Sequence, residues 1–89
     1  MRLNSKFKLW KIRDEYVIVN NSSSDINLTE VFTLNEPSAF LWNKISGKSF
    51  DKKDLVDYLC AEYDVKREIA EKDIDNFILQ MKKLNFIVD

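Results

Sequence analysis

Histidine is absent from this chain of 89 residues, and glycine, proline and cysteine each occur once. Without histidine, Ser-His and Cys-His nucleophile pairs cannot form and most zinc sites are excluded. A single glycine, Gly47, leaves no glycine-rich phosphate loop. The lone Cys60 cannot close an internal disulfide, which fits a reducing compartment. No apolar run approaches the roughly 20 residues of a membrane span. The start "MRLNSKFKLW" lacks the apolar segment of a signal peptide. These absences lead us to expect a cytoplasmic protein that is not an enzyme, carries no cofactor and binds no metal.

Charge is also short on one count: neither sign dominates. The 14 basic and 15 acidic side chains leave a net charge of -1, which offers no electrostatic reason for nucleic acid or an anionic membrane as partner. Hydrophobic residues make up 45% of the chain, enough for one core. At this length folding buries only roughly 60% of the unfolded surface, so residues 1–89 are expected to form a single domain.

The chain reads as strands followed by helices. "FKLWKIR" and "EYVIVN" carry β-branched and aromatic residues and flank Arg13-Asp14, which predicts a hairpin. The polar "NSSSDIN" reads as a loop, and "LTEVFTL" (Leu28 to Leu34) as a third strand with Leu28, Glu30, Phe32 and Leu34 on one face. In a meander its far edge is free. It carries none of the lysine or proline that usually protects such an edge, so another segment or a partner must cover it.

Within "VFTLNEPSAFLWNKI" the period then changes from strand to helix across Asn35, Glu36 and Pro37. Asn35 is a good N-cap, Pro37 suits a first turn, and Gly47 marks the stop. A second helix starts at Asp51, with Asp54 completing an approximate capping box. The third runs from about Lys66 to Leu84, with Ala70, Ile74, Phe77, Ile78, Met81 and Leu84 on its core face. Leu79 stands on the polar side, and Phe86 and Ile87 fold back on the core. The fold class expected is α+β, winged helix-turn-helix-like: a three-stranded antiparallel sheet followed by a three-helix bundle.

Single residues say little about function. Cys60 lies on a helical apolar face and reads as a buried structural thiol. Glu71, Asp73 and Asp75 read as a solvated face, because Lys72 interrupts them and no ligand spacing appears. Trp10 and Trp42 read as core. A winged helix raises the possibility of a DNA-binding regulator, but the third helix sets Lys66, Arg67, Lys72, Lys82 and Lys83 against Glu68, Glu71, Asp73 and Asp75.

"LNEPSAFLW", "SGKSF", "EYDV" and the series Asp73, Phe77, Met81, Leu84 resemble the PqqD family of leader-peptide-binding proteins, also called RiPP recognition elements. The resemblance implies a non-catalytic adaptor. Such proteins bind the leader of a ribosomally made precursor peptide and present it to a modifying enzyme, often a radical S-adenosylmethionine enzyme. It further implies that the leader adds as a strand beside the third strand. Thr29, Glu30, Val31, Phe32 and Thr33 would then supply the backbone ladder, Asp73 would bind a polar group, and Phe77 and Gln80 would form the adjoining wall. The alternatives are the DNA-binding regulator and an enzyme-interaction module without a peptide leader.

Overall fold

The computed structural model describes residues 1–20 and 32–89. The predicted "NSSSDIN" loop and the start of the predicted third strand, including Thr29, Glu30 and Val31, lie outside the described residues. Strand β1 (Arg2–Leu3) is followed by the hairpin β2 (Phe7–Ile12) and β3 (Glu15–Asn20), then β4 (Phe32–Leu34). Helices α1 (Glu36–Ile45), α2 (Lys52–Glu62) and α3 (Arg67–Lys83) come next, and β5 (Ile87–Val88) ends the order.

The main sheet is antiparallel with order β2-β3-β4. Ile12 pairs with Glu15 across Arg13-Asp14, the turn the sequence predicts, and Arg13 takes a left-handed φ of 57°. Registers Leu9↔Ile18↔Phe32 and Tyr16↔Leu34 put Phe7, Leu9, Ile18, Phe32 and Leu34 on the face toward the helices. The other face carries Lys8, Trp10, Ile12, Val17, Val19 and Thr33.

That register corrects one expectation. Leu9 and Trp10 are adjacent, so only one of them can point inward, and Leu9 packs on the core while Trp10 is 51% exposed. Trp42, by contrast, is a core residue at 3% exposure. Cys60 is half-buried against the core rather than fully enclosed.

Each helix boundary has a chemical cause. The Ser38 N–H donates to Asn35 Oδ1 at 3.0 Å, and Ala39 N–H to the Asn35 carbonyl at 2.9 Å, so β4 turns into α1 through one residue. α1 stops at Ser46 before Gly47, whose φ of +75° suits a residue without Cβ. Asp51 and Asp54 exchange side-chain and backbone hydrogen bonds at 3.0 Å each, closing the capping box that opens α2.

α3 ends in a Schellman motif. Asn85 sits at φ 63°, its N–H donates to the Lys82 carbonyl, and the Phe86 N–H donates to Met81 at 2.8 Å. This reversal turns Phe86 into the core, where its ring meets Phe7, Phe32 and Trp42 edge-on at centroid distances of 4.7, 5.4 and 6.0 Å. Beyond it, β5 pairs with β1 through Arg2↔Val88 and Leu3↔Ile87, a two-stranded sheet that the strand pattern of the sequence did not announce. Met1 and Phe50 exchange backbone hydrogen bonds beside it.

Candidate functional site

β4 is an edge strand. It pairs with β3 on one side, and among the described residues no strand pairs with its other side. In an antiparallel edge strand, alternate residues direct both backbone N–H and C=O outward. The Asn35 cap joins this edge directly to the first turn of α1. Phe32 is exposed at the edge yet keeps its ring against Phe86, just past the end of α3. The rings thus connect the edge strand to the C-terminal end of α3.

Two flanks of α3 have different uses. Arg67, Glu71 and Asp75 recur every four residues and face α2: Arg67 Nη1 lies 3.1 Å from Asp57 Oδ1, and Lys52 Nζ 2.8 Å from Asp75 Oδ1. Asp73, Phe77 and Gln80, spaced four and three apart, lie on a different flank that α2 does not occupy. Asp73 and Gln80 are exposed, and no ion pair holds Asp73 among the described residues. Phe77 is mostly core, at 9% exposure. At 1.5 Å per residue, Gln80 stands about 5 Å from the helix end, near Phe86, and Asp73 about 15 Å from it.

Sequence reasoning missed Ile69 on this flank, one turn before Asp73 and exposed. An apolar residue four positions from Asp73 among polar neighbours was the available signal. Leu79 is 67% exposed on the outward side, as its spacing predicts.

Burial, then Glu36 and Glu62, then Tyr16, raise the Tyr63 phenol above its usual range. Its ring lies edge-on to Phe40 at 5.8 Å, a structural contact on the far side of α1. Among the described residues no group of carboxylates and cysteine could hold a metal ion, and no helix is long and apolar enough to cross a membrane.

A strand edge and a helix flank that are both uncovered among the described residues are the arrangement that strand addition requires. The family of coenzyme PQQ synthesis protein D (PqqD) matches residues 15–87, from the start of β3 into β5. The chain belongs to the PqqD family. Two solved structures have the same fold as this PqqD-family chain. One is TbiB1 in complex with the TbiA(beta) leader peptide, 22% identical over 100% of both chains with a TM-score of 0.74. The other is lasso peptide synthetase B1 complexed with the leader peptide, 20% identical over 99% of this chain and 96% of that one, with a TM-score of 0.73. No curated protein matches the PqqD-family chain.

Proposed function

We propose that this chain is a non-catalytic adaptor that binds the leader of a ribosomally synthesised precursor peptide and presents it to a modifying enzyme. The observation that carries the reading is the outer edge of β4, unpaired among the described residues and tied by Phe32 and Phe86 to the end of α3. Membership of the PqqD family and likeness to two proteins solved with leader peptides support it. The chain acts as one peptide-binding domain in the cytoplasm, and the chemistry belongs to the enzyme it serves, a radical S-adenosylmethionine enzyme being one candidate class.

The leader enters as a further antiparallel or parallel strand along Thr29, Glu30, Val31, Phe32 and Thr33. Backbone hydrogen bonds supply affinity, and side chains on alternate leader residues reach the α3 flank. Asp73 accepts from a donor group of the leader, Gln80 offers an amide nearer Phe86, and Phe77 backs the wall from the core.

The test is an amide chemical-shift titration of the labelled protein with synthetic leaders of precursors encoded beside it. Saturable shifts confined to β4 and the Asp73–Gln80 flank are the expected result. A folded protein that shows no shift with any of these leaders would overturn the reading.

A further inference from the structure

The face of the sheet turned away from the helices has no role in leader binding, yet it is not built like ordinary surface. Lys8, Trp10 and Ile12 project from β2, and the row from Trp10 continues across β3 through Val17, buried at 6% exposure, to the exposed Thr33 on β4. Trp10 and Ile12 are 51% and 49% exposed and take no part in the core cluster. Two large apolar side chains at i and i+2 form one patch, and tryptophan is enriched among the residues that carry binding energy at the centre of protein interfaces.

The charge around this patch indicates what covers it. Around this face the hairpin and its approach carry Lys6, Lys8 and Arg13 against Asp14 and Glu15, while Lys11, opposite Tyr16, lies on the helix-facing side with its Nζ 5.6 Å from the Tyr16 ring centroid. Lys6, Lys8 and Arg13 form no ion pair among the described residues. An apolar centre whose rim is basic on balance complements an apolar surface rimmed by aspartate and glutamate. A second copy is a poor match, because two-fold apposition of the same patch would set these basic rims against each other.

We infer that the outer face centred on Trp10 and Lys8 is the docking surface for the modifying enzyme, through an acidic-rimmed apolar patch on that enzyme. This inference rests on the adaptor reading for the identity of the partner. It assigns the two partners to separate surfaces: the leader takes the β4 edge and the α3 flank, and the enzyme takes the opposite face of the same sheet. Because Trp10 and Thr33 lie in one cross-strand row over the buried Val17, a leader strand added at β4 would extend the surface that the enzyme meets. The enzyme could then hold the leader-loaded sheet without displacing the leader.

The experiment uses the full chain and the purified modifying enzyme encoded beside it. Affinity is measured by calorimetry at low and at physiological salt for the native protein, Trp10→Ala and Lys8→Glu. Each variant is expected to raise the enzyme Kd about tenfold or more. Higher salt should weaken the native complex, and leader affinity in a parallel titration should stay within about twofold. Lys8→Glu removes no core contact, so it keeps the test valid should Trp10→Ala unfold. An enzyme Kd unchanged in a folded Lys8→Glu variant would overturn the inference. So would native self-association by sedimentation that Trp10→Ala abolishes, or binding of phosphatidylglycerol vesicles through Trp10 with none to the enzyme. Enzyme binding at Trp10 without leader binding would sustain this inference and remove the adaptor reading. Leader binding with the enzyme docked elsewhere would do the reverse.

Discussion

Asp73 and Phe86 show how differently single side chains can matter here. Asp73 is exposed and free of ion pairs among the described residues, so its removal leaves no buried group unsatisfied. Asp73→Ala is expected to raise the leader Kd about tenfold, in line with a hydrogen bond to a charged group, while the melting temperature moves by no more than about 3 °C. Fluorescence anisotropy with a labelled leader and a thermal melt check the two halves. A large fall in melting temperature with unchanged leader affinity would make Asp73 structural. Phe86 is the converse case. It touches rings from β2, β4 and α1, so Phe86→Ala is expected to cost about 3–5 kcal/mol of unfolding free energy in a urea titration. A loss below about 1 kcal/mol would mean that the ring cluster contributes little to the core.

Among the elements, the end of α3 decides where the chain's last residues go. Asn85 occupies a left-handed position that glycine fills without strain and that a β-branched residue resists. Asn85→Gly should retain stability or raise it by up to about 1 kcal/mol, whereas Asn85→Val should lower it by about 1–2 kcal/mol. Equal denaturation midpoints for the two variants would show that the Schellman turn does not hold Phe86 in place. The β4 edge makes a separate prediction. A leader methylated on alternate backbone nitrogens loses the donors a strand ladder needs, and one of the two alternations should weaken binding at least about tenfold. If neither alternation changes affinity, the leader does not bind as a strand.

The whole molecule is a winged arrangement of sheet and helices without the charge that DNA binding requires. On α3 the Arg67 guanidinium is engaged by Asp57 and Glu71, and Lys82 by Asp89 at 3.3 Å. Lys66, Lys72 and Lys83 stand on or beside α3 without an ion pair among the described residues, but Glu68 and Asp73 share that helix and leave it with no net basic face. No binding to a labelled duplex is therefore expected at physiological salt. The logarithmic salt slope should be near zero, since few phosphates would be neutralised. A slope of several units, with saturation, would return the DNA-binding regulator to consideration.

The sequence alone determined the hairpin, the strand before α1 and the order of the three helices, because period, caps and stop signals are local. Asn35, Gly47, Asp51 and Asp54 act within one turn of where they sit, and each is found at the boundary its chemistry predicts. It also marked the β4 edge as unprotected and Asp73 as lying at the margin of the core face. Only the tertiary structure decided which of Leu9 and Trp10 points inward, since two adjacent apolar residues fit either face until pairing with β3 sets the register. Pairing of β1 with β5 joins residues more than eighty positions apart, and no local pattern in two-residue strands can announce that. The same holds for the division of α3 into a flank bound by α2 and a flank left open among the described residues. Helical spacing places Asp73 and Asp75 on different sides, but which side is covered depends on where Asp57 and Lys52 arrive in space.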